Sequence, residues 1–444
     1  MSNQFHIIVG MGATGLSCAR HLKKQGIPFA MADTRANPPN LVEIEKEFAD
    51  VKKSFGNLDP VFLDEADVIV ISPGLSLKEP AIADQIAKGK PIIGDIELFA
   101  QANLKPVIAI TGTNAKSTVT TLVGKMAEQA GINVQVGGNL GVPALDLLSS
   151  QQSELFVLEL SSFQLETTHS LAPSVATVLN VTPDHMDRYD TVADYALAKF
   201  RVYSDCEVAV CNRDDPNTDC GDSYTKGKLR FTLNEPAVNE FGLIKNNNET
   251  YLAFENQLLM PVGELPILGR HYQANALASL AIGYGYGLPF EPMLQTLREF
   301  KGLPHRCQLV LERNGVRWYN DSKGTNVGAT IAAIEGLGAE IKGKLILIAG
   351  GIGKNADFST LVPAIEKYVK AVVLIGESAP LLAAIIGNKA DVHFAKSMQE
   401  AVAISDRLAS KEDSVLLSPA CASFDMFKNF EHRGNVFEEV VLQL

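Results

Sequence analysis

The stretch VIAITGTNAKSTVTTL, Val107 to Leu122, decides how the chain folds. Val107-Ile108-Ala109-Ile110 is a short apolar run that reads as a buried strand, and Lys116-Ser117-Thr118 opens a helix-like stretch. Strand, loop, lysine, hydroxyl and helix, in that order, are the parts of a nucleoside triphosphate site. Backbone N–H groups at a helix N-terminus carry partial positive charge and point at whatever lies beyond it. Gly112 lets the chain turn closely past a phosphate, Lys116 neutralises the outer phosphates, and Ser117 offers a hydroxyl to Mg²⁺. The stretch departs from the longer phosphate loop in two places. Ala115 stands where a glycine precedes the lysine, and Ile110 takes the place of the first glycine. Ala115 is acceptable with a negative φ, since only positive φ demands glycine. The plainer alternative is a strand–helix turn capped by Thr113 or Asn114.

Outward from this stretch, short apolar runs alternate with helix-patterned segments, the signature of parallel α/β architecture. Ligands of open parallel sheets sit beyond the carboxyl ends of the strands, so the informative residues are those that follow each run. FHIIVG leads into Gly10-Met11-Gly12-Ala13-Thr14-Gly15, FAMAD ends at Asp33-Thr34-Arg35, and DVIVISPG ends at Ser72-Pro73-Gly74. The pattern restarts near Gly94-Asp95. LFVLEL ends at Glu159-Leu160, and VATVLN runs into Asn180, Asp184 and His185. A weaker, β-rich stretch at about 220–265 precedes LGRHYQANALASLAIGYGYGLP, which reads as a helix ending in glycine. FKGLPHRCQ reads as a linker into a third unit carrying Asp321-Ser322-Lys323, Gly350 to Lys354, and SPACASFDMFKNF. The expected organisation is therefore α/β in three domains, residues 1–95, 96–302 and 303–444. A Rossmann-like N-terminal domain, a central P-loop-type ATPase domain with a parallel sheet, and a C-terminal Rossmann-like α/β domain would converge on one cleft.

A chain of 444 residues exceeds one comfortable core and agrees with about three domains. Its net charge of −12 argues against nucleic acid or an anionic membrane surface as a partner, since either favours a basic face. Six cysteines are scattered without a C-x-x-C pair, which suggests free thiols in a reducing compartment. MSNQFHIIVG lacks the basic and long apolar regions of a signal peptide, and no apolar run approaches the roughly 20 residues that cross a bilayer. A cytoplasmic protein is expected.

The first unit points elsewhere when read alone. Gly10-x-Gly12-x-x-Gly15 after a strand, followed by Asp33, is the dinucleotide fingerprint and suggests an NAD-linked oxidoreductase. A dehydrogenase has no need of a second phosphate loop with its own acid. The fingerprint's chemistry, a diphosphate against a helix N-terminus, is equally met by a uridine diphosphate. Glu159, an acid ending a strand some forty residues after Lys116, resembles the element that holds Mg²⁺ in phosphoryl-transfer sites; its bland reading is a solvated strand-end carboxylate. His185 alone would be structural, but it follows the next strand of the same sheet. Lys323 and Lys354, with Thr325 and Ser423, suit a carboxylate-bearing substrate.

Seven segments together resemble the Mur ligases across the whole chain: TGTNAKSTVTTL, LELSSFQLE, NVTPDHMDRY, GRHYQANALA, GLPHR, DSKGTN and SPACASFDMFKNFEHRG. The resemblance implies ATP-driven amide formation, with UDP-N-acetylmuramoyl-L-alanine and D-glutamate as partners, ADP and phosphate as products, and a monomer as the working form. It implies that Thr14, Leu16, Asp33, Thr34, Arg35, Gly74 and Asn139 hold the UDP-sugar. Gly112, Thr113, Asn114, Ala115, Lys116, Ser117 and Thr118 would hold the ATP phosphates, with Asn275, Arg306 and Asp321 contacting the nucleotide. Ser117, Glu159 and His185 would surround two Mg²⁺ ions, joined by Lys199 once carbamylated by CO₂, and D-glutamate would meet Lys323, Thr325, Lys354, Ser423 and Phe430. Tyr272 replaces a usual asparagine, and Gly324 replaces a common alanine, which should loosen its turn. Another ligase of the superfamily, including a folylpolyglutamate type, a non-catalytic UDP-sugar binder and the oxidoreductase remain the alternatives at this level.

Overall fold

A computed structural model describes the chain except for residues 1–3, 151, 222–224, 268 and 355. Three sheets are built, one after another along the sequence. The first is all parallel, in spatial order Lys53–Phe55, Phe29–Asp33, His6–Val9, Val68–Ile71 and Ile92–Ile93. The order in which its strands are connected switches sides at His6–Val9, so the glycine-rich turn at 10–15 lies at the switch point where such sheets open a crevice.

Among the described residues the second sheet has nine strands. Val107–Thr111 sits between Leu155–Glu159 and Val175–Val178, and all three run parallel. Ile110 pairs in register with Glu159, and Thr111 with Val178. The phosphate loop, Glu159 and the segment leading to His185 therefore leave the sheet at one edge. The central strands are apolar on both faces because helices cover both sides, and Ile108, Ala109, Ile110, Val157 and Leu158 are fully buried. The β-rich stretch proves to be an antiparallel extension: Glu240–Asn246, Glu249–Phe254 and Gln257–Pro261. The helix Arg270–Tyr286 ends at Gly287, whose φ of 96° closes it through bonds to the Gly283 and Tyr284 carbonyls.

In the third sheet Val316–Asn320, Ser414–Leu417 and Leu345–Gly350 lie side by side and parallel, while Gln308–Arg313 pairs antiparallel at the edge. This order brings Asp321 to Asn326, Ser418 to Ser423, and Gly350 to Lys354 together at one end. No helix among the described residues is long and apolar enough to cross a membrane.

Candidate active site

The phosphate loop is tied down by the next strand's exit. Thr113 N–H donates to the Asn180 carbonyl at 2.9 Å, Asn114 N–H to Asn180 Oδ1 at 2.8 Å, and Thr113 Oγ1 to the Thr182 carbonyl at 3.1 Å. Gly112 is required here: a Cβ on it would lie 3.0 Å from Leu179 Cβ. The helix Lys116–Gln129 has Ala115 as its N-cap and no side-chain cap, so neither Thr113 nor Asn114 plays the capping part of the plainer reading. The expectation of a negative φ at Ala115 is overturned. Its φ is 68°, in the left-handed region, where a Cβ crowds the backbone. Ala115→Gly should raise stability by ~0.5–1 kcal/mol, the relieved strain less the extra chain entropy of glycine. Chemical denaturation would check it, and a loss of stability would mean the loop carries no strain.

Two lysines meet at this loop. Lys116 Nζ donates to the carbonyls of Gly112 at 2.9 Å and Thr113 at 2.8 Å, and Lys199 Nζ donates to the same Gly112 carbonyl at 2.9 Å. Lys199 is fully buried, stands 4.3 Å over the Tyr195 ring, and has its pKa pushed well below the usual lysine value by burial and by the neighbouring Lys116 charge. Burial likewise lowers Lys116. Ser117 Oγ accepts from Arg306 of the third domain at 2.6 Å.

Glu159 is 3 % exposed, which rules out the solvated strand-end reading. Its Oε1 accepts from Asn139 Nδ2 at 2.7 Å, and its Oε2 is buried without a hydrogen-bond partner. A buried carboxylate oxygen left open costs ~1–3 kcal/mol unless something fills it. Hard oxygen donors from Ser117 and Glu159, with a nearby imidazole, fit Mg²⁺. His185 has φ 58° and packs 4.8 Å from the Phe163 ring; burial lowers its pKa, so at neutral pH its ring presents a lone pair rather than a charge.

Two adjoining cavities share the phosphate loop. One, about 390 Å³, is lined from all three sheets by Gly74, Asn139, Glu159, His185, Lys199, Thr325 and Lys354, with Lys116 and Ser117 at its floor. Gly74 reaches it because Arg188 donates to the Pro73 carbonyl at 3.0 Å. The second, about 290 Å³ and mostly apolar, is lined by Thr118, Asn275, Asp321, Tyr272 and Ala333, and shares Asn114, Ala115, Arg306 and Lys323 with the first. Tyr272 lies flat against Phe300 at 6.4 Å, and its hydroxyl is buried without a partner. Asp321 is held by Ser418 Oγ at 2.7 Å and Cys307 N–H at 3.2 Å, and burial raises its pKa to about 6. Gly324 does more than loosen its turn: a Cβ there would stand 2.6 Å from Asp321 Oδ2 and 2.7 Å from Ser418 Oγ.

The other expected residues line neither cavity. Leu16 is buried in the core and its N–H is bonded to the Gly12 carbonyl. Asp33 is also buried; it accepts from Met11 N–H at 2.7 Å and holds Arg35 through two side-chain bonds of 2.8 Å, so this fingerprint acid braces its own turn. Thr34 and Arg35 are exposed, and Thr14 is half-buried. Ser423 is buried and lines neither cavity, while Phe430 sits 3.8 Å under the Lys323 ammonium. Sequence reasoning missed Asn326, whose Nδ2 donates to Asn114 Oδ1 at 3.1 Å and Asp184 Oδ2 at 3.2 Å, bridging the third domain to the phosphate loop. Its place at the end of DSKGTN, just before a helix it caps, was the available signal.

A phosphate loop, an open buried carboxylate and lysines from a separate domain, all in one cleft, define a nucleotide-driven ligase rather than an oxidoreductase. The chain belongs to the Mur ligase family. Residues 4–94 match the family's MurD-like N-terminal domain, 110–283 the Mur ligase middle domain, and 305–421 the Mur ligase glutamate ligase domain. It is an ATP-dependent, amide-bond-forming enzyme. The chain is 53 % identical over 441 residues to the UDP-N-acetylmuramoylalanine–D-glutamate ligase of Pseudomonas syringae pv. tomato, covering 99 % of this chain and 98 % of that one. It is 51 % identical to the enzyme of the same name from Coxiella burnetii, over 99 % of both chains. The pseudomurein peptide ligase type C of Methanothermus fervidus shares the fold, with a TM-score of 0.63 at 18 % identity over 99 % of this chain and 100 % of that one.

Proposed function

We propose that the chain joins D-glutamate to UDP-N-acetylmuramoyl-L-alanine in the cytoplasmic synthesis of peptidoglycan precursors. Full-length identity above one half to ligases of that name carries the assignment of substrates. The cleft lined from three sheets supports the chemistry. A carboxylate is a poor acyl donor. Its oxygen therefore attacks the γ-phosphorus of ATP, ADP leaves, and the acyl phosphate so formed is opened by the amine of D-glutamate with loss of phosphate.

In this reading residues 1–95 hold the UDP-sugar, 96–302 the ATP and 303–444 the amino acid. The apolar cavity beside Asn275 and Tyr272 takes the adenine, and Lys116 lies against the γ-phosphate. Ser117, Glu159 and His185 would hold Mg²⁺, as two ions, which neutralise phosphate charge as the anions approach. Carbamylation suits Lys199. Its lowered pKa favours the uncharged amine that attacks CO₂, and the resulting anion replaces a donor that now competes with Lys116 for one carbonyl. Protein equilibrated with carbon-13-labelled bicarbonate should show a carbamate carbon signal that Lys199→Ala removes; the same spectrum from both proteins would discard the modification.

Lys323 and Lys354 receive the carboxylates of the amino acid, with Thr325 beside them. Burial and the nearby Arg306 charge lower the Lys323 pKa to about 8. The free enzyme thus carries this cation below about pH 8 and loses it above, so kcat/KM for D-glutamate should fall as pH rises through that value. Lys323→Ala should flatten that limb; an unchanged profile would remove Lys323 from amino-acid binding.

The assignment itself is tested by ADP release from purified protein with Mg²⁺, ATP and UDP-N-acetylmuramoyl-L-alanine, offered D-glutamate, L-glutamate or neither. Release that requires the D-isomer is expected. Equal release with L-glutamate would reassign the acceptor, and none at all would remove the ligase reading.

A further inference from the structure

A second polar cluster lies on the same sheet, and the catalytic reading uses none of it. Cys211 is the next-to-last residue of the strand Cys206–Asn212, and the short turn Pro216–Thr218 folds back to set Asp219 and Cys220 beside it. The two sulfurs stand 3.8 Å apart, both thiols are buried, and the ligand atoms of Cys211, Cys220 and Asp219 all lie within 4.8 Å of one another. Zinc–sulfur bonds of about 2.3 Å at a tetrahedral angle separate two sulfurs by about 3.8 Å. That is the observed spacing, whereas a disulfide draws its sulfurs to about 2.05 Å. Asp219 is exposed, and its carboxylate now pairs with Lys228 at 2.5 Å, a cation already held against the cluster.

We propose that Cys211, Cys220 and Asp219 form a binding site for a thiophilic divalent cation of the zinc type, with water completing the tetrahedron. Two thiolates and one carboxylate make a donor set that selects zinc over magnesium. The site shares no ligand with the Ser117, Glu159 and His185 set, so the two can be loaded independently. The two thiols are within hydrogen-bond reach of one another, with either sulfur able to donate, and Cys220 Sγ also lies 3.3 Å from the Gly221 carbonyl. Binding takes both cysteines as thiolates, their protons passing to solvent, and Lys228 gives up the Asp219 oxygen that turns to the metal.

Cobalt(II) is the probe, added to the full-length, reduced, chelator-stripped protein. One equivalent should produce a thiolate-to-cobalt charge-transfer band with the visible bands of tetrahedral coordination, and zinc should abolish both by displacement. Cys211→Ser and Cys220→Ser should lose the band, while Cys18→Ser, in the first domain, should keep it. Asp219→Asn, at an exposed position that leaves the buried thiols intact, should weaken cobalt binding by roughly tenfold or more, as loss of even an outer-shell partner commonly does. Absence of the charge-transfer band in the reduced wild type overturns the proposal. So does a band that survives Cys220→Ser, or a reduced protein that merely oxidises to the Cys211–Cys220 disulfide without taking cobalt.

Discussion

Lys116→Ala should abolish ADP formation, by on the order of 10³-fold or more in kcat, in a protein that melts within a few degrees of the wild type. The lysine supplies the positive charge closest to the phosphate loop carbonyls, and charge developing on a transferred phosphoryl group is stabilised chiefly by such fixed cations. Its structural role is smaller. It donates to the carbonyls of Gly112 and Thr113, but Lys199 also donates to Gly112, so the variant leaves only the Thr113 bond unmade. Removing it also relieves repulsion: Lys199 and Lys323 are both held down in part by the Lys116 charge. The two readings separate cleanly when turnover and thermal unfolding are measured on one preparation. Near-normal turnover with a large drop in melting temperature would make Lys116 a structural staple of the loop.

Glu159→Gln should lower turnover about 10²–10³-fold at fixed Mg²⁺ and shift half-maximal activity to higher Mg²⁺. The amide still accepts from Asn139, as Glu159 Oε1 does at 2.7 Å, but it no longer offers an anionic oxygen at the buried, unpartnered Oε2 position. Four basic side chains, Lys116, Lys199, Arg306 and Lys323, feel this carboxylate as an attractive partner. The lost attraction is opposed by the smaller desolvation cost of a neutral amide in place of a buried carboxylate, so stability should change little. Titration of activity with Mg²⁺ decides the matter: an unaltered Mg²⁺ dependence would sever Glu159 from the metal.

How far the site could be read beforehand depended on how local its causes are. The phosphate loop was legible because strand, turn, lysine and helix are contiguous in 107–122, and each obeys a local rule. Glu159 and Asp321 were legible as residues that end apolar runs, since strand ends in parallel sheets face one crevice. Ala115 was misjudged because its φ of 68° is imposed by the ties of Thr113 and Asn114 to Asn180, sixty-odd residues away. Asp33 fitted a ligand-binding fingerprint yet closes on Met11 and Arg35, because a buried carboxylate takes the nearest donors. Asn326 signalled only a helix cap; its bridging part exists only once the third sheet is set against the second.

The sequence by itself determined the three α/β units, the phosphate loop and the stock of acids and lysines, because hydrophobic period and turn chemistry act over a few residues. Only the tertiary structure decided which of those groups are stripped of water together. One oxygen of Glu159 is left open, Lys199 is pressed against Lys116, and Cys211 meets Cys220 at 3.8 Å. Desolvation and charge crowding, unlike strand and helix periods, are set by whichever distant segments the fold packs around a group.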